Sequence, residues 1–259
     1  MDKILVFIPA YNCENQIIRV LEQFDSEVLE YISEIIVVNN RSTDNTEMLV
    51  AAYIRQHKEI PVSLLRNKDN YGLGGSHKVA FDYAVNNGFE YVVVLHGDDQ
   101  GSIKDFLPVF KNRYYRKHDC VLGARFMVGS KLKGYSLFRT FGNIVYDFLF
   151  ASVVRNKIYD LGSGLNMYNV NMLKDRYYEK FPDNLMFNYC MILAAGYYGH
   201  DIRFYPISWR EDDQVSNVKM VNQAVTVLKM LRDYRRNPDV ITGEYREVVI
   251  PEYRAEIIA

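Results

Sequence analysis

Five apolar residues, Tyr91-Val92-Val93-Val94-Leu95, open directly into His96-Gly97-Asp98-Asp99-Gln100. That short loop carries an imidazole, two carboxylates and an amide. Asp98 and Gln100 are oxygen donors two residues apart, and His96 adds a nitrogen. Such a set suits Mg²⁺ or Mn²⁺ bridging a diphosphate. A short, fully apolar run bounded by polar groups reads as a strand buried on both faces of a parallel sheet. Open α/β sheets bind their ligands at the carboxyl ends of such strands. By itself the Asp-Asp-Gln triplet reads first as a solvated turn, so its weight depends on what precedes it.

The preceding residues repeat one pattern. Ile4–Ile8 reads as a strand broken by Pro9-Ala10-Tyr11-Asn12, and a helix is predicted from Cys13 to Phe24. Glu34–Val38 is a second strand ending in Asn39-Asn40-Arg41-Ser42-Thr43-Asp44, with Ser42 or Thr43 capping a helix that runs towards Arg55. Pro61–Leu65 is a third strand. Asn70-Tyr71-Gly72-Leu73-Gly74-Gly75 is a glycine-rich turn before a helix over Ser76–Asn86. The turn lacks the Lys-Ser/Thr ending of a P-loop, and a tight turn needing positive φ explains it as well. Four strands alternating with three helices predict a right-handed parallel βαβ sheet. Asn12, Asn39, Asn40, the 70–75 turn and Asp98 then fall at one edge, around one crevice.

With 259 residues, a net charge of −1 and a pI near 6.5, the chain fits one large α/β domain and shows no basic excess for nucleic acid. Cys13, Cys120 and Cys190 form no CxxC pair and read as reduced thiols. The N-terminus has no signal-peptide pattern. The apolar stretch Phe141–Val154 is interrupted by Asn143 and Asp147 and is too short for a bilayer span. These features predict a cytoplasmic protein, at most resting on the inner face of a membrane. Residues 134–154, with Phe138, Phe141, Tyr146, Phe148 and Phe150, read as a core, dimer or interfacial helix. Val218–Leu231 is a second helix. The tail, Asn237–Ala259, alternates like a strand that adds to a neighbouring subunit in a homo-oligomer.

At this point the motifs resemble those of the inverting, nucleotide-sugar-dependent family 2 glycosyltransferases with the GT-A fold. Ile8-Pro-Ala-Tyr-Asn12 is similar to the family's opening motif, and Val38-Asn-Asn-Arg-Ser-Thr-Asp44 to its V-D-D-G-S-T-D. Asn70-x-Gly-x-Gly74 resembles the loop beneath the donor, and His96-Gly-Asp-Asp-Gln100 the D-x-D-x-Q metal motif. Further on, Gly123-Ala-Arg-Phe126, Arg139-x-x-x-Asn143, Asp160–Tyr168 and Pro206-Ile-x-x-Arg210 followed by Ser216 resemble the dolichyl- or polyprenyl-phosphate hexosyltransferase branch. The resemblance implies a mostly parallel sheet flanked by helices over residues 1–236. Residues 1–100 would form the nucleotide-sugar half and 101–236 the acceptor half. It implies a UDP- or GDP-linked donor touched by Pro9, Ala10, Tyr11, Asn12, Glu14, Asn39, Asn40, Gly72, Gly74, Lys78, Gly97, Asp98, Arg139 and Asn143. It implies Mn²⁺ or Mg²⁺ on His96, Asp98 and Gln100, and a polyprenyl-phosphate or glycan acceptor. Arg125, Arg139 and Arg210 would clamp phosphates, with Asp98, Arg125, Arg210 and Glu211 catalytic.

The chain departs from the pattern at named positions. His96 stands for the first metal carboxylate, Asn39-Asn40 for paired aspartates, Arg41 for a glycine, and Cys13 where a glutamate often follows Asn12. Asn217 replaces a phosphate-binding lysine, with Lys219 nearest. An acceptor phosphate is already an anion and needs no base. A sugar-hydroxyl acceptor needs one, and Glu211-Asp212-Asp213 would supply it. His96, Asn39 and Asn40 also suit a catalytically silent, sugar-nucleotide-binding subunit. A nucleotidyltransferase would carry a basic, glycine-rich loop after the first strand, and Pro9–Asn12 is not one.

Overall fold

The computed structural model describes residues 2–154, 156–211 and 220–259, with Phe138 and residues 220–224 described by backbone alone. Asp212, Asp213, Ser216, Asn217 and Lys219 lie outside the described residues. β1 (Ile4–Ala10), β2 (Glu34–Asn39), β3 (Val62–Asn67) and β4 (Tyr91–Leu95) form the predicted parallel unit in the order β3-β2-β1-β4. Their residues alternate between two cores, as period-2 geometry requires. Leu5 and Phe7 face one layer, while Ile4, Val6 and Ile8 face the other.

One layer is α1 (Ile17–Leu21), α2 (Ser26–Leu29), α3 (Thr46–Gln56) and α5 (Leu107–Lys111). The other is α4 (Gly72–Asn86), α6 (Leu137–Val154), α7 (Phe187–Tyr198) and α8 (Met220–Arg236). Beyond β4 the sheet becomes mixed. β7 (Leu165–Asn169) runs antiparallel to both β4 and β5 (Cys120–Ala124), and β8 (Ile202–Pro206) lies parallel to β5. β6 (Lys131–Lys133) and β9 (Ser208–Arg210) make a separate parallel ribbon.

Three boundaries differ from expectation, each explained by specific hydrogen bonds. The first helix is shortened because the Cys13 and Glu14 amides donate to Thr46 Oγ1 (2.9 Å) and Asp44 Oδ2 (3.1 Å). Asp25 then caps a short helix, α2, that was not predicted, through the Val28 amide (3.1 Å). α3 begins at Thr46, since Ser42 and Thr43 are taken up by Asn12. The tail also departs from its predicted use. β10 (Ala255–Ile257) adds antiparallel to β3 of its own chain, with Arg66 paired to Glu256 at 3.2 Å. The exposed sheet edge is thereby covered from within.

Candidate functional site

The loops after β1, β2 and β4 meet at the carboxyl edge of the sheet. The Gly97 amide donates to Pro9 O (3.1 Å), and the Asn40 amide to Ala10 O (2.9 Å). A Cβ at Gly97 would lie 2.9 Å from Pro9 O, so only glycine lets the two loops approach this closely. Tyr11 projects from the edge, 52% exposed. Asn12, at φ +49°, accepts from the Thr43 amide (2.8 Å), while its own amide donates to Ser42 Oγ (3.0 Å). Glu14 Oε2 caps Asn45 through that residue's amide (2.9 Å) and side chain (2.8 Å).

The two asparagines that replace acidic residues are structural, and the geometry explains their identity. Asn39 donates to Glu47 Oε2 (2.6 Å) and accepts from the Ser42 amide (2.9 Å). Asn40 donates to Asn70 Oδ1 (2.7 Å) and accepts from Asn67 Nδ2 (2.8 Å) and the Tyr71 amide (2.9 Å). Each position needs a donor and an acceptor at once, which an amide has and a carboxylate lacks. Both side chains, expected against the donor, are buried and hydrogen-bonded within the protein.

Within the 96–100 loop the side chains diverge. The His96 ring packs on Gly164, where an added Cβ would meet its Cγ at 2.7 Å, and His96 Nε2 is buried without a hydrogen-bond partner among the described residues. Burial, then the nearby Arg125 charge, lowers its pKa to about 4, so the ring is neutral at pH 7. Asp98 is half-buried, and its Oδ1 accepts from the Gln100 amide at 3.2 Å. The Cys13 thiol is pushed up to about 12, first by burial and in part by the Asp44 and Asp98 charges, which sets Asp98 near the β1–α1 turn. Among the described residues no group of three or more His, Cys, Asp or Glu side chains could hold a metal ion.

Asp99 is a hub that motif reading missed. At φ +59° and 5% exposure, it accepts from Arg19 Nε (2.6 Å) and Gln23 Nε2 (3.0 Å), and it also pairs with Arg210. Arg210 further donates from Nε to Asp99 O (2.7 Å) and from its amide to Gln100 O (3.0 Å), fastening β9 to the loop. The positive φ was invisible in sequence, and the partners lie about 80 and 110 residues away.

The second half holds a further cluster. Arg125 was expected on phosphate, but its backbone N–H, Nε and Nη2 all donate to buried Asp160 at 2.9, 2.7 and 2.8 Å. Tyr135 lies between the guanidinium groups of Arg125 (5.7 Å) and Arg139 (4.8 Å). Arg139 donates to Glu211 (2.6 Å), and Asn143 Nδ2 to Tyr135 OH (2.8 Å). Lys78 and the glycine turn, expected against the donor, pack against the interior of the fold. Lys78 Nζ is buried on Phe181 O (2.6 Å), Asp183 Oδ1 (2.7 Å) and Tyr253 OH (3.0 Å). A Cβ at Gly72 or Gly74 would sit 2.4 Å from Asp183 O or 2.3 Å from Pro182 O, so the turn exists to admit that segment.

Asp147 on α6 adds a titratable group to this cluster. Burial, then the Asp160 charge, outweighs Arg125 and raises its pKa to about 8. An acid whose folded-state pKa lies above its ordinary value of 3.8 favours the fold while protonated. That contribution is complete below the ordinary value and is lost as pH rises through about 8. Asp147→Asn is therefore expected to gain thermal midpoint relative to the parent between about pH 5 and pH 8. Parallel profiles for the two proteins would show that the carboxyl ionises without penalty.

A mostly parallel sheet covered by helices, with ligand-type loops gathered at its carboxyl edge, defines the GT-A class of glycosyltransferases. Residues 5–177 match the model of glycosyl transferase family 2, and the chain belongs to that family. The resemblance to its dolichyl-phosphate branch is borne out by two relatives. A dolichyl-phosphate beta-glucosyltransferase of Trichomonas vaginalis is 22% identical over 242 residues, covering 88% of this chain and 70% of that one. One from Dictyostelium discoideum is 30% identical over 108 residues, covering 39% of this chain and only 32% of that enzyme. In fold, the chain is similar to glucosyl-3-phosphoglycerate synthase of Mycobacterium tuberculosis, solved with Mn²⁺, UDP-glucose and glycerol 3-phosphate. The TM-score is 0.61 at 16% identity, covering 89% of this chain and 80% of that one. Among the described residues no helix is long and apolar enough to cross a membrane.

Proposed function

We propose that this glycosyltransferase moves a hexose, with inversion, from a UDP- or GDP-linked sugar to a polyprenyl-phosphate or glycan acceptor. The observation that carries the donor half is the joining of Gly97 to Pro9, and of Asn40 to Ala10, beside the exposed Tyr11 ring. Pro9–Asn12 and Gly97 form a backbone floor for the nucleotide, with Tyr11 as a stacking surface. Asp98 and Gln100 offer one carboxylate and one amide oxygen. Mg²⁺ is commonly held by one or two carboxylates together with substrate phosphates, so this loop fits an ion that arrives with the diphosphate. When bound, that ion offsets charge developing on the leaving group. Arg210, steadied by Asp99, lies beside the same loop.

For the acceptor, the Arg139–Glu211 pair, Tyr135 and Asn143 cluster at the start of α6. The outer face of that helix exposes Leu137 (87%), Phe141 (68%), Ile144 (47%), Val145 (42%) and Phe148 (73%). An apolar stripe at helical spacing beside charged groups suits a lipid-borne acceptor met at the cytoplasmic face of a membrane. The activities for which the two dolichyl-phosphate relatives are named support the same acceptor.

The test is nucleoside-diphosphate release from UDP- and GDP-sugars with Mn²⁺ or Mg²⁺, with and without undecaprenyl phosphate. Lipid-dependent release is the expected result. Slow release indifferent to lipid moves the acceptor to a sugar hydroxyl, with Glu211 as the base to replace. Donor binding without turnover under every condition leaves a silent binding subunit.

A further inference from the structure

A cleft of about 530 Å³ opens beside Gln100, between α1 and the β6–β9 ribbon, and Asp98 does not line it. Four cations, Arg19, Lys131, Lys133 and Arg210, face two carboxylates, Asp99 and Glu22. Asp99 is the buried one, and both arginines converge on it, so a single carboxylate is shared by two guanidinium groups. Lys131 and Lys133 are two apart on β6 and therefore point to one side of the ribbon. Both are exposed. This positive excess is local, because the whole chain carries a net charge of −1. Folding has gathered cations from α1, β6 and β9 around a concavity large enough for a small ligand.

Trp209 forms part of the wall, 4% exposed, and its indole N–H is buried without a hydrogen-bond partner among the described residues. Guanidinium forks and ammonium groups around one hollow match phosphate oxygens better than any neutral or cationic ligand. We propose that this cleft is a second anion site that binds a phosphate group, carried by a soluble phosphorylated ligand or by a lipid headgroup. It adjoins the Asp98 loop, sharing Gln100 and Arg210 with it, and draws its other cations from Arg19, Lys131 and Lys133.

Trp209 is the chain's one tryptophan, so its emission reports this wall directly. The full chain is titrated with inorganic pyrophosphate in EDTA, without donor. A saturable emission change is expected, unaltered in Asp98→Ala and in Lys131→Arg/Lys133→Arg. In Lys131→Glu/Lys133→Glu the Kd should rise by about tenfold or more. A second arm measures flotation with phosphatidylcholine vesicles, with or without phosphatidylglycerol. Lysine-dependent binding to the anionic vesicles alone, with no pyrophosphate response, identifies the phosphate as a lipid headgroup. Absence of a lysine-dependent response in both arms overturns the proposal. So does a pyrophosphate response lost in Asp98→Ala and kept in the glutamate variant. Neither arm uses a sugar donor or a metal, so these outcomes are independent of whether glycosyl transfer is observed.

Discussion

Asp98→Ala is expected to lower nucleoside-diphosphate release by about a hundredfold or more, chiefly in kcat. In the proposed site, Asp98 is the one carboxylate of the 96–100 loop left to meet a diphosphate-borne cation. His96 brings no negative charge, and Asp99 is turned onto Arg19, Gln23 and Arg210. Gln100 cannot replace it, since a neutral amide oxygen neither offsets the ion's charge nor holds it firmly. Stability should change by about 1 kcal/mol or less, because Asp98 is half-buried on a surface loop. Thermal melting alongside the assay separates loss of chemistry from loss of fold. A rate near that of the parent protein at saturating Mn²⁺ would remove Asp98 from the proposed site.

Asp160→Ala is expected to be the most damaging single change to the fold, at about 3–5 kcal/mol. Asp160 is 2% exposed, and its two oxygens accept from three Arg125 nitrogens and from the Gly162 amide (3.0 Å). Truncation leaves a guanidinium at 8% exposure without its main counter-charge. For a chain of this size the melting midpoint should fall by roughly 6–15 °C. The double variant Arg125→Met/Asp160→Leu is the control. Replacing both charges with apolar groups of similar volume is expected to recover most of the loss, since the cost lies in the stranded charge more than in the absent bond. Equal destabilisation in single and double variants would show that packing, and not the ion pair, carries the effect.

The sheet's first half was legible because its signals are local. Short, mostly apolar runs, each followed within two residues by Pro, Asn or Gly, define strands and turns without reference to anything distant. Where sequence expectation went astray, the deciding partner lay far along the chain. Ser42 and Thr43 looked like helix caps, but Asn12 claims both from about 30 residues away. Lys78 and the glycine turn were placed beneath the donor by family resemblance, and both pack against the 181–184 segment. The tail alternated as a strand, and only the open edge of β3 showed where it would pair.

The amino-acid sequence by itself determined the family, the parallel βαβ order and the convergence of the loops after β1, β2 and β4. Those follow from periodicity and from the rule that successive parallel strands present their carboxyl ends together. Tertiary structure alone decided what each polar side chain does at that edge. Asn39 and Asn40 became interior hydrogen-bond bridges, Arg125 the partner of Asp160, and Asp99 the anchor of Arg19 and Arg210. The physical reason is that a charged or amide group serves whichever partner burial brings within about 3 Å, and long-range folding sets that proximity where local residue order does not.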